Sequence, residues 1–221
     1  MFDGILLINK PKGITSYDVI RRLKPLFPKK QKIGHAGTLD PFATGLMIIM
    51  LGKCTKSFDD FQKAKKVYRV KSEFGYETDT YDITGEVTFK DESVIKQEVL
   101  KKVLEKFRGE ISQVPPAFSA KRVKGQRAYK LARDKKDFEL KPKLVNIYSL
   151  ELTNFDFPKF EILIECSSGT YVRSLVVDIA REIGTFATPV ELCREKIGDY
   201  SLSDAVNLDD VDLERDLRSF V

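Results

Sequence analysis

Residues 34–45 read GHAGTLDPFATG: three glycines, one proline, the single histidine of the chain and a lone aspartate. Glycine tolerates backbone shapes closed to other residues, and Asp-Pro disfavours helix at the aspartate, so a shaped loop is expected. Directly after it, Leu46-Met47-Ile48-Ile49-Met50-Leu51 is an unbroken apolar run expected to form a buried strand. A Gly-rich loop tied to a buried strand holds a polar side chain at a defined place, and Asp40 is that side chain. A carboxylate so held can act as a covalent nucleophile on a sugar or an electrophilic ring. The same residue types also suit an Asx turn, or a helix N-cap with Pro41 at the first helical position.

Composition narrows the chemistry. Cys54, Cys166 and Cys193 are odd in number and widely spaced, with no CxxC, so neither a disulfide framework nor a zinc site is indicated. One histidine excludes a His-rich metal site. A Ser-His-Asp triad would have to use His35, and there is no GxSxG elbow. The chemistry is left to Asp, Glu, Tyr, Lys and Arg. Two further places offer it. Tyr68-Arg69 follows Lys65 and Lys66 in an alternating segment; such a ring can stack on an unpaired base, or simply bury one face in a sheet. Arg173 falls in the first turn of an expected helix, where a cation gains nothing from the helix dipole. It is either a surface arginine or the partner of a carboxylate elsewhere.

The elements that position these residues follow from periodicity. A strand at 4–10 ends in the turn Lys10-Pro11-Lys12-Gly13. Thr15-Ser16 offers an N-cap with Asp18 behind it, and Val19, Ile20, Leu23 and Leu26 recur at helical spacing until Pro28. A helix is expected over 53–65, and a strand from Val67 towards Phe74. An acidic, hydroxyl-rich loop runs over 77–85 and a strand over 86–89. A helix over 93–107 would turn Val94, Ile95, Val99, Val103, Leu104 and Phe107 inward. An extended stretch (111–118), a short basic helix (125–133) and two strands (145–155 and 160–166) come next. The helix at 171–183 is closed by Gly184, a last strand lies at 192–197, and the acidic tail suggests a weak helix. Strands linked by hairpins and loops indicate an α+β fold with a mixed, mostly antiparallel sheet.

At 221 residues, one good-sized domain, with or without a small appendage, is expected. No apolar run is long enough to span a bilayer, and the short run at 4–8 lacks a signal-peptide pattern, so a soluble, cytoplasmic protein is expected. The net charge is +5, with basic residues crowding 29–32, 63–71 and 121–136 and acidic ones the tail. Basic clusters suit a polyanion partner, although Lys-rich segments also form ordinary solvated faces.

Six segments together resemble the TruB family of tRNA pseudouridine synthases, in that family's order. They are NKPKGITS at 9–16, GHAGTLDPFATG at 34–45, KVY at 66–68, TDTYDITG at 78–85, QVPPAFSAK with GQRAY at 113–129, and GTYVRSL at 169–175. The resemblance implies the pseudouridine synthase fold and isomerisation of the T-loop uridine of tRNA, position 55, without metal or other cofactor. Asp40 would be the nucleophile, attacking ribose C1′ or base C6. Arg173 would pair with it and keep it ionised, Tyr68 would stack on the flipped uracil, and His35 would sit where the base leaves the stack. Lys10, Asp82 and Tyr171 would support the pocket. Lys121, Arg122, Lys124, Arg127 and Lys130 would contact RNA phosphates. The implied partner is the tRNA T-arm, bound by a monomer. Family members usually add a C-terminal PUA domain. Here a catalytic domain at 1–202 followed by a short acidic tail at 203–221 is expected, with that domain absent or vestigial. The competing readings are a non-catalytic RNA-binding module on the same scaffold and a guide-dependent synthase.

Overall fold

The computed structural model describes residues 1–119, 121–123, 125–134 and 136–219. Its strands are β1 (Gly4–Lys10), β2 (Ile33–Ala36), β3 (Thr44–Leu51), β4 (Lys66–Phe74), β5 (Tyr76–Thr78), β6 (Val87–Lys90), β7 (Gly109–Gln113), β8 (Arg122–Val123), β9 (Gln126–Arg127), β10 (Lys143–Asp156), β11 (Lys159–Cys166), β12 (Ala187–Ile197), β13 (Tyr200–Ser201) and β14 (Val206–Asn207). Its α-helices are α1 (Ser16–Leu23), α2 (Phe58–Lys63), α3 (Gln97–Lys106), α4 (Ala128–Arg133), α5 (Val172–Ile183) and α6 (Leu213–Asp216). The chain divides into two compact units: Met1–Arg69 with the segment from Leu192 onward, and Val70–Glu191.

In the first unit β3 is the central strand. One edge runs antiparallel to all of β1, from Gly4↔Leu51 to Lys10↔Gly45. The other edge takes β2 antiparallel along its second half, and β12 in parallel at Cys193↔Thr44 and Arg194↔Gly45. A strand paired on both edges and covered on both faces must be apolar throughout, and Leu46–Leu51 is fully buried. Ile5, Leu7, Leu46, Ile48, Met50, Phe61 and Ile197 share one core cluster. Thr15 caps α1 through a capping box with Asp18, as the sequence indicates, and Val19, Ile20 and Leu23 face inward. Residues 53–65 differ from the single helix expected. The Thr55 hydroxyl bonds to the Gly52 carbonyl, a 3₁₀ segment occupies Gly52–Ser57, and only Phe58–Lys63 is α-helical. The acidic tail forms a 3₁₀ turn at Leu208–Asp210 and the short α6, and also pairs: β14 lies parallel to the C-terminal end of β1, and Arg218 bridges to Ile5.

The second unit orders its strands β4-β11-β10-β7, with β10 antiparallel to both neighbours. Helix α5 buries eight of its residues and is closed by Gly184 in the left-handed region at φ 92°. Helix α3 is shorter than the expected 93–107. The Asp91 carboxylate accepts from both the backbone and the hydroxyl of Ser93, so the chain turns there and Lys96 becomes the N-cap. Val94 and Val99 are consequently exposed, and Leu100, Val103 and Leu104 carry the buried face. The strand expected at 192–197, β12, begins earlier, at Ala187, and includes Pro189.

Candidate active site

The loop before β3 is held from several directions. Ser16, the first residue of α1, clasps Leu39: its hydroxyl donates to the Leu39 carbonyl at 3.0 Å and accepts from the Leu39 amide at 2.8 Å. The Gly13 amide donates to the Pro41 carbonyl at 2.7 Å. The NKPKGITS segment is thus the mount of the loop. Asp40 itself is half-buried, and its carbonyl accepts from the Ala43 amide at 3.1 Å to close a turn. No helix starts at Pro41, which removes the N-cap reading of Asp40.

Two fully buried cations sit beneath this turn. Lys10, at the end of β1, donates to the carbonyls of Ala43 at 2.6 Å, Pro11 at 2.8 Å and Pro41 at 3.3 Å. Burial pushes its ammonium down to about 8; the charge of Asp40 works against that fall and that of Arg194 adds to it. Arg194, in β12, donates to the Leu46 carbonyl at 2.8 Å and the Gly37 carbonyl at 3.0 Å. Arg194 escaped the sequence reading. Its one signal is that it keeps the inward phase of Leu192 in a period-2 strand, where an apolar residue is expected.

His35 lies in β2, at the entry to the same loop, and burial, then the charge of Arg194, lowers its imidazole below the ordinary range. Its ring is neutral at physiological pH. Tyr68 stands half-buried in β4. The cations beside it are engaged inside the unit. The Lys66 ammonium donates to the carbonyls of Ala64, Gln62 and Phe61 at the end of α2. Arg69 pairs with Glu195 at 2.6 Å.

In the second unit Arg173 is buried, not a surface arginine. It donates to the carbonyls of Thr80 at 2.6 Å and Phe118 at 2.9 Å, and lies 3.4 Å from the Asp82 carboxylate. Asp82 in turn ties its own loop, accepting from Thr80 Oγ1 at 3.0 Å and the Thr84 amide at 2.9 Å. Tyr81, between them, adopts φ 59°, a strained conformation for a residue with a Cβ. Arg181 lies over its ring at 5.5 Å and is held bidentate by buried Glu77. Tyr171 is the N-cap residue of α5, its backbone clasped on both sides by the Gln113 side chain.

The basic candidates lie in and beside a small hairpin. Arg122 pairs with Arg127 across β8 and β9, and both are exposed, as is Lys130 on α4. Lys121 donates to the Lys141 carbonyl at 3.2 Å. Lys124 lies outside the described residues. Among the described residues there is no cluster of His, Cys, Asp and Glu that could hold a metal ion, and no helix long and apolar enough to cross a membrane.

This α+β architecture, with its mostly antiparallel strand pairs and its glycine-rich aspartate loop, defines the pseudouridine synthase fold. A solved H/ACA RNP bound to a substrate RNA containing 2′-deoxyuridine shares it, with a TM-score of 0.69 at 22% identity over 94% of this chain. The chain spans 51% of the length of that solved structure, and the likeness is one of fold. The model of the TruB family pseudouridylate synthase N-terminal domain matches residues 24–172. The tRNA pseudouridine synthase B of Aquifex aeolicus is 50% identical over 210 residues, covering 94% of this chain and 73% of the relative. That of Caldicellulosiruptor saccharolyticus is 43% identical over 208 residues, covering 94% and 71%. The chain belongs to the TruB family of pseudouridine synthases.

Proposed function

We propose that this chain isomerises the T-loop uridine of tRNA, at position 55, with Asp40 as the nucleophile. The observation that carries the reading is the mounting of Asp40: a half-buried aspartate in a turn clasped by Ser16, Gly13, Lys10 and Arg194. A carboxylate held in one place by groups that do not themselves react is preorganised for attack. In the overall step the N1–C1′ bond breaks, C5 bonds to C1′, a proton leaves C5 and N1 gains one. No electron is exchanged, so the isomerisation itself needs no redox partner.

Around that step the other residues take supporting roles. Tyr68 stacks on the uracil taken out of the RNA, an exchange that offsets the few kcal/mol spent on flipping. The family resemblance assigns Arg173 the role of cation to the nucleophile; within its own unit the guanidinium is fixed by Thr80, Phe118 and Asp82. Neutral His35 lines the exit of the base. Tyr171 and Asp82 act by fixing α5 and the loop at 78–85. Lys121, Arg122, Lys124, Arg127 and Lys130 bind phosphates of the T-arm. The enzyme works as a cytoplasmic monomer, with residues 1–202 as its catalytic domain and the acidic segment beyond as a tail. The test is to incubate unmodified tRNA, and separately a T-arm hairpin, with the protein and map pseudouridine nucleotide by nucleotide. Product at position 55 in both supports the reading. Product elsewhere, or RNA bound without product, refutes it; the latter is the outcome for a binding module.

A further inference from the structure

Of the groups that clasp the Asp40 turn, Arg194 is the one whose side chain touches both ends of the loop. Its Nη2 reaches the Gly37 carbonyl and its Nε the Leu46 carbonyl, at 3.0 Å and 2.8 Å, and Asp40 lies between those residues in the chain. Two of the three loop glycines face this residue. At Gly37, with φ +81°, a Cβ would stand 3.2 Å from Arg194 Nη1. At Gly45, with φ +105°, it would collide with the Arg194 carbonyl, and Gly45 is the β-partner of Arg194. Neither glycine could be replaced without moving the arginine or the loop. The charge of Arg194 also acts on two other basic groups: on His35, next after burial, and on Lys10 at the end of β1, after burial and Asp40.

We propose that Arg194 is a positioning residue for the reaction at Asp40: it fixes the spacing of Gly37 and Leu46, and with it the turn that presents the aspartate, and it provides one of the two buried positive charges beneath that turn. The inference rests on Asp40 being the nucleophile. A guanidinium can donate to two carbonyls on different sides from one rigid plane; a lysine ammonium keeps the charge but lacks that fork, and a glutamine keeps neither.

The test uses the full chain with Arg194→Gln and Arg194→Lys, and two readouts. The first is the rate of tritium release from C5-labelled uridine in a T-arm transcript, as kcat and KM. Misplacement of a reacting group by about 1 Å costs on the order of 100-fold. Arg194→Gln is therefore expected to lower kcat roughly 100-fold with KM nearly unchanged, and Arg194→Lys to recover part of that loss. The second readout is the NMR titration of His35, the single histidine of the chain. The charged group acting on it is Arg194, and those acting on Lys10 are Asp40, Arg194 and Asp18. The imidazole pKa is expected to rise in Arg194→Gln and to stay low in Arg194→Lys. A folded Arg194→Gln protein with wild-type kcat and an unmoved His35 titration overturns the proposal. If Arg194→Gln does not fold, Arg194→Lys decides: wild-type kcat overturns it, and reduced kcat at unchanged KM upholds it. A wild-type protein that releases no tritium removes the reading of Asp40, whereas the His35 titration still decides whether Arg194 sets the charge beneath the loop.

Discussion

Lys10 has no exposed surface, and its ammonium is spent on three carbonyls, those of Pro41 and Ala43 in the Asp40 turn and that of Pro11 after β1. Burial holds it at about 8, against 10.5 in the unfolded chain. Between those two values the unfolded state binds more protons than the folded one, so Lys10 makes stability rise with pH from about 8 to about 10.5. Lys10→Met is expected to flatten that rise and, at pH 7, to cost about 2 kcal/mol, because carbonyls of Pro41 and Ala43 lose a buried donor. Chemical denaturation of both proteins across this range measures it. The shaped turn that carries Asp40 was legible in the sequence, because Gly and Pro have specific backbone meanings; Lys10 was named only through the family resemblance. Arg194 was not legible, since an arginine code says nothing about whether its side chain points inward. Arg173 was legible as a cation out of place, but its partners Thr80, Asp82 and Phe118 come from distant segments that no local pattern links.

At the scale of elements, the longer strands and helices α1 and α5 were read well, because alternation and capping are local; β2, which takes Gly34–Ala36 out of the loop expected over 34–45, and the short strands β5, β8, β9, β13 and β14 were not, because pairing with another segment makes them. The boundaries failed where a side chain outcompeted the helix: Asp91 with Ser93 before α3, and Thr55 with Gly52 before α2. Helix α5 carries a titratable strain of its own. Burial pushes the Asp178 carboxyl up to about 6; Arg181 opposes the shift and Glu77 adds to it. Its folded pKa is above the unfolded one, so the folded state binds more protons and stability falls as pH rises from about 4 to about 6. Asp178→Asn should abolish this fall and stabilise the protein at pH 7 by about 1 kcal/mol, the partial solvent contact of the group screening the rest. Thermal unfolding at pH 4 and pH 7 reads both effects. The tail has a different function, as cover for the edge of β1, through β14 and the Ile5–Arg218 bridge. Truncation after residue 202 leaves that edge unpaired, and faster aggregation with a lower unfolding temperature is expected by light scattering.

For the molecule as a whole, the net charge of +5 is modest and its distribution matters more. Part of the basic content is structural: Lys66 caps α2, and Arg69 and Arg173 are engaged within their own units. Arg122 and Arg127 stand exposed on the small hairpin, and the proposed function assigns RNA phosphates to them. Affinity for the T-arm should fall steeply with salt, and Arg122→Gln or Arg127→Gln should each reduce the log–log slope by about 1 without changing which uridine is modified. A flat salt response would remove these residues from the interface. Fold class and family were legible because six motifs occur in order, a signal that single motifs lack. The division into two compact units was not, since it depends on contacts between segments far apart in sequence. The central claim is that Asp40 performs the isomerisation, and its most direct test is tritium release from C5-labelled uridine in a T-arm transcript by wild type and Asp40→Asn. Release by wild type and none by Asp40→Asn, with both proteins still binding the RNA, is the expected result; release by both would contradict the claim.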